Sequence, residues 1–172
     1  EGEKMVAELL ESACDIQSIY ATAQWIDKNK SIIQAKGVAN KTTEISEDDL
    51  GKISLLSTPN NVYSLAKIPQ ENFSNQTKGL IIVLDGIKDP GNLGTIIRLA
   101  DWYAIERIIC SPDCVDVFNP KTVQSTMGSI FRVKVEYTDL KTFLENLPKN
   151  FPIYGSIVEG GENIYKKHFQ ED

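Results

Sequence analysis

The stretch Leu80 to Ala100, LIIVLDGIKDPGNLGTIIRLA, decides how this chain is read. Five consecutive apolar residues, Leu80 to Leu84, are what a strand buried on both faces of a parallel sheet requires. Pro90-Gly91 turns the chain, and Asn92 is placed to cap a helix starting at Leu93. Leu93, Ile96, Ile97, Ala100 and Ala104 then recur at helical spacing, as a stripe facing a core. In open α/β sheets ligands gather outside the carboxyl ends of the strands, which is where Asp85 and Asn92 fall.

Gly94 and Arg98 are four apart and therefore share a helix face. Long helical side chains lean toward the N-terminus, so Arg98 is expected to lie over Gly94, where no side chain obstructs it. Its guanidinium then reaches toward Asn92 and the free amides of the first turn. A glycine inside a helix costs ~1 kcal/mol relative to alanine, which suggests that the space is used. The expectation is a compact cationic notch suited to a phosphate or an activated hydroxyl. A capped turn with a solvated arginine accounts for the same residues without any function. A dinucleotide site fits less well, because G-x-G-x-x-G spacing and a G-K-[ST] loop are both missing.

Beyond this unit, strands and helices alternate. RIIC (107–110) and FRVKVEY (131–137) read as strands, with a helix between them capped by Asn119 and opened by Pro120. A helix capped near Thr138 or Asp139 and a last strand, PIYGSIV (152–158), complete an open α/β sheet. Upstream, Met5, Val6, Leu9 and Leu10 mark a helix, IQSIYAT a strand, and AQWIDKNKSIIQAKG a helix ending near Gly37. Ser46 caps another helix, whose Leu50, Ile53 and Leu56 are expected to face inward. Thr58 to Asn61 forms a turn before a strand, VYSLAKI, stopped by Pro69. The polar, aperiodic PQENFSNQTKG divides the chain into an α/β unit over 1–70, a linker over 71–78 and a second unit over 79–172.

Composition narrows the function. The 172 residues carry a net charge of −6, and both halves come to −3. That counts against a protein that coats nucleic acid unspecifically, while leaving room for a local basic patch. No apolar run approaches the ~20 residues of a membrane span, so no membrane partner is expected. Cys110, Cys114 and His168, the single histidine, are too few for a four-ligand zinc site, so no metal is expected. The three cysteines read as buried thiols in a reducing, cytoplasmic setting.

The pattern N-x-G-x-x-x-R, here Asn92, Gly94 and Arg98 after LDGIKDP, resembles the first motif of the SpoU (TrmH-type) RNA ribose 2′-O-methyltransferases. EGEKMVAELL and TTEISEDDLGKISLLSTPNNVYSLAKIP are similar to that family's N-terminal RNA-recognition domain. NPKTVQSTMGSIFRVKV is similar to the segment after its second catalytic strand. The resemblance implies a ribosomal-protein-like α/β domain followed by a SPOUT-type domain ending in a trefoil knot. It further implies S-adenosylmethionine as cofactor, RNA (ribosomal or transfer) as substrate and a homodimer. Arg98 would serve the ribose 2′-hydroxyl with Asn92 in support, and Gly155 and Ser156 would line one side of the cofactor pocket. Because free arginine is a poor base, Arg98 is open to a second role, holding the adjoining phosphate and stabilising charge on the attacking oxygen. RNA contact is expected to be local, using Arg98 with some of Lys88, Lys121, Arg132 and Lys134.

Two later motifs of the family, G-N-E-x-x-G and a Pro- and Ser-Leu-Asn-containing segment, have no match here. A chain that opens on Glu1 and closes at ENIYKKHFQED reads as the middle of a longer protein. The fragment by itself is expected to be inactive, with an incomplete methyltransferase domain. A non-catalytic RNA-binding module on the same scaffold, and an unrelated nucleotide-binding α/β protein, are the alternatives.

Overall fold

The computed structural model describes residues 1–58, 60–69, 79–157 and 159–163. The expected linker over 71–78 and His168 lie outside the described residues, as does Pro59 of the expected turn.

The first half builds a three-stranded sheet. Helix α1 (Glu3–Glu11) buries Met5, Val6, Leu9 and Leu10, as the spacing requires. Strand β1 (Ile16–Ala21) lies centrally, parallel to β2 (Thr42–Glu44) and antiparallel to β3 (Val62–Ala66). The single helix expected before Gly37 is two, α2 (Ala23–Lys28) and α3 (Lys30–Lys36), separated at Asn29. The Asn29 amide bonds the Trp25 carbonyl at 2.8 Å, the local competition by which asparagine interrupts a helix. Gly37 ends α3 in the left-handed region, φ +72°. Helix α4 (Glu47–Ile53) is capped by Ser46, whose hydroxyl accepts from the Asp49 amide. Only part of its expected inner face is buried: Leu50 is, whereas Ile53 is exposed and Leu56 half-buried. The helix ends at Ile53, so the 3.6-residue period no longer governs where Leu56 points.

The second half holds a parallel sheet, β4 (Ile81–Leu84), β5 (Arg107–Cys110) and β6 (Lys134–Tyr137), in that order. Helix α5 (Pro90–Trp102) follows β4, and α6 (Pro120–Thr126) follows β5. Helix α7 (Leu140–Glu145) is capped by Asp139, whose carboxylate accepts from the Thr142 amide. The strand expected to be buried on both faces pairs with β5 alone among the described residues; Val83 and Leu80 are exposed, while Ile108, Ile109 and Cys110 of the central β5 are fully buried. An apolar run marks a strand without saying how many neighbours it has. The expected strand over 152–158 is not formed by its described residues, and Ile153, Tyr154 and Ile157 are exposed. β propensity forms a strand only where a ladder partner receives it. Among the described residues, no helix is long and apolar enough to cross a membrane.

Two apolar clusters result. One joins α1, β1, Trp25 and Ile33; the other joins Leu93, Ile97 and Ala100 of α5 to Ile108, Val117 and Val133. They meet at residues 124–132. Phe131 packs against the first cluster, the Gln124 amide donates to the Glu1 carbonyl at 2.9 Å, and Arg132 reaches Glu8.

Candidate functional site

The loop after β4 is stitched to the loop after β5. Gly86, at φ +66°, donates its amide to Ser111 Oγ at 2.9 Å. Ser111 Oγ in turn donates to Asp113 Oδ1 at 2.6 Å, and the Ile87 amide donates to Cys114 Sγ at 3.2 Å. The Lys88 ammonium closes the arrangement, donating to the Asp113 carbonyl and lying 2.7 Å from Oδ2. Lys88 and Ser111 lower the Asp113 carboxyl to about 2. Burial, reinforced by neighbouring Cys114, raises the Cys110 thiol to about 12. Both thiols are buried, and burial keeps Cys110 in the protonated, unreactive state.

This rigid loop delivers α5. Its cap is Asp89, whose Oδ1 accepts from the Asn92 amide at 2.7 Å, with Pro90 at the first helical position. Asn92 is therefore not the cap expected from sequence. It sits one turn inside, and its side chain is free for another partner. Along α5, Leu93, Gly94, Ile97 and Ala100 are buried, while Asn92, Thr95, Arg98, Leu99 and Trp102 are exposed. Ala104 lies beyond the helix at φ +54° and is exposed, so it leaves the expected stripe. Asn92, Thr95 and Arg98 follow one another at three-residue steps and form one ridge of the exposed face. Arg98 has no side-chain partner among the described residues.

The space above Gly94 is not open. A Cβ there would overlap Ser125 Cβ and lie 2.9 Å from the Ser125 carbonyl carbon. Gly94 lets α6 approach α5, and the notch expected over it is filled by protein. Arg98 therefore stands on the outer ridge.

The other expected site residues are dispersed. Lys121 is exposed at the start of α6, beside the first turn of α5. Arg132 donates to both Asp101 oxygens (2.8–3.0 Å) and to Glu8 Oε2 at 2.6 Å. These carboxylates raise its already high basicity. Its charge is spent on bracing α1 against α5. Lys134 opens β6, at the opposite end of the sheet from Asp85. Gly155 and Ser156 are exposed, and a Cβ at Gly155 would meet no atom within 4 Å. Among the described residues nothing forms a cradle around Gly155 for the expected cofactor.

A cleft of about 650 Å³ lies between the two halves. Leu55, Leu56, Tyr63 and Ser64 stand on one side, and Pro90, Gly91, Pro120 and Lys121 on the other. Sequence reasoning missed it. At Gly128 a built Cβ would lie 2.5 Å from Glu8 Cγ, so a glycine there lets the two halves approach.

The second half is thus a parallel β-α-β-α-β unit with Arg98 exposed on the helix after its first strand. Residues 79–172 match the SpoU rRNA Methylase family, and the chain belongs to that family. Among curated relatives it is 27% identical to the Bacillus subtilis 23S rRNA (guanosine(2553)-2′-O)-methyltransferase RlmP, over 94% of this chain and 62% of that protein. Among solved structures, a TrmH-family protein from Porphyromonas gingivalis is 33% identical over 80% of this chain and 53% of its own (TM-score 0.66). The AdoMet-bound rRNA methyltransferase from Sinorhizobium meliloti is 26% identical over 84% and 55% (TM-score 0.69). The chain spans little more than half the length of such relatives.

Proposed function

We propose that the protein containing this chain transfers a methyl group from S-adenosylmethionine to a ribose 2′-hydroxyl of RNA, ribosomal or transfer. The observation carrying the proposal is Arg98: an exposed cation with no partner among the described residues, on the same ridge as Asn92 and in the family's motif. Arginine is the cation suited to phosphate, and Arg98 holds the phosphate beside the target ribose and stabilises negative charge developing on the 2′-oxygen. Asn92, whose side-chain carboxamide takes no part in the cap, orients the same sugar. The cofactor supplies an electrophilic methyl group, and its seat is not built by Gly155 and Ser156 as they stand here.

In the full-length protein, Arg98→Ala should remove most methyl incorporation into RNA while leaving the melting temperature essentially unchanged, because the side chain touches no core residue. Normal turnover in that variant would remove Arg98 from the mechanism. For residues 1–172 alone we propose RNA binding without methyl transfer, supported by the open surroundings of Gly155. Calorimetric titration should show no stoichiometric, micromolar binding of S-adenosylmethionine. Such binding would mean that a pocket exists among the described or neighbouring residues.

The remaining readings belong to the same proposal. Residues 1–70 act as a ribosomal-protein-like RNA-recognition domain, and 79–172 contribute to a trefoil-knotted domain of a cytoplasmic homodimer. Leu99, Trp102 (82% exposed) and Tyr103 support the dimer, since an apolar face of this kind is covered in a stable protein. Sedimentation of Trp102→Glu beside the parent chain tests it: the variant should be the smaller species.

A further inference from the structure

The cleft between the two halves combines features that the methyl-transfer reading does not use. Leu55 and Tyr63 give it an apolar and aromatic wall, with Leu55 69% exposed. Its acidic groups are already engaged. Glu1 accepts from the Ser54 hydroxyl at 2.5 Å and the Leu55 amide at 3.0 Å. Asp89 caps α5. Lys121 is the charged lining residue whose side chain has no partner among the described residues. The cleft thus presents the Lys121 ammonium, its side chain unpartnered among the described residues, beside an aromatic surface, and its volume is that of a small-ligand site.

We propose that this cleft receives one unpaired nucleotide of the RNA, its base against Tyr63 and Leu55 and its phosphate on Lys121. This deepens the methyltransferase reading and rests on it. Pro90 at the cleft and Arg98 on the outer ridge are about 12 Å apart along α5 at 1.5 Å per residue, so the seated nucleotide is a neighbour of the methylated one. Seating it fixes the register of the strand at Arg98. A base paired within a duplex is shielded in its stack and does not enter such a cleft, whereas a splayed base stacks on an aromatic ring. The site therefore selects a loop or bulge next to the modified ribose.

The test is fluorescence anisotropy on residues 1–172, with a single-stranded RNA of about eight nucleotides and a duplex of the same sequence as probes. Tyr63→Leu should weaken single-strand binding about tenfold, the scale of one lost base–aromatic stack, and leave duplex binding unchanged. Tyr63→Phe should retain the affinity of the parent. Lys121→Gln should reduce the slope of log K against log salt by about one. Circular dichroism of each variant guards against misfolding. Single-strand binding indifferent to Tyr63→Leu and Lys121→Gln would overturn the cleft assignment and leave Arg98 chemistry standing. A parent chain that binds neither RNA would overturn the RNA reading itself, and the cleft with it.

Discussion

At position 94 the missing side chain is replaced from outside, by Ser125 of α6. Gly94→Ala should therefore destabilise the protein by about 1–3 kcal/mol, the range for overpacking a close contact. Thermal denaturation checks it; an unchanged or raised melting temperature would show that α6 can retreat. Asp113 makes a second prediction. Its carboxyl is lowered in the folded protein from 3.8 to about 2, so its contribution is complete above pH ~4 and is lost as pH falls through 2. Asp113→Asn should flatten the loss of stability between those values in urea titrations read at successive pH. Sequence made the motif residues legible and misread the local geometry of two. Asn92 and Asp89 are both capping types three residues apart, and Pro90 at the first helical position favours Asp89. The filling of Gly94 was not readable, because Ser125 lies 31 positions away in sequence.

Among elements, α5 carries both the fold and the proposed chemistry, on different residues. Removing the cap with Asp89→Ala should cost about 1 kcal/mol. Asn92→Ala should leave stability nearly untouched and lower methyl transfer in the full-length protein. Measuring denaturation and turnover on the pair separates cap from site; equal stability losses would refute the assignment. Helical spacing located α1 and α5 and most of their buried faces, and the caps at Ser46, Asn119 and Asp139 marked the starts of α4, α6 and α7. Strand environment was less legible. LIIVL is as apolar as a central strand yet pairs with one strand among the described residues, because apolar content records burial preference and not ladder position. PIYGSIV has strand residues but finds no partner strand among those described.

Across the described residues, the two halves are joined by Arg132 with Glu8, by Gln124 with Glu1 and by Phe131 packed on the first cluster, while Asp101 holds Arg132 from the second half. Exposed ion pairs contribute little singly, but one guanidinium shared by two carboxylates is a network. Arg132→Ala should loosen the halves, so that limited proteolysis within 71–78 accelerates relative to the parent chain. Cleavage first within 90–130 would count against the division into two units. Composition and periodicity could divide the chain, but they could not show that the halves touch, since no pattern in sequence encodes a meeting of Glu8 with Arg132. The same triad constrains how the gene can vary. An acidic residue at 132 would face two like charges, and repairing one partner would still leave the other opposed. Positions 8, 101 and 132 should therefore drift together among descendants, and a charge reversal at all three should restore what any one of them alone destroys.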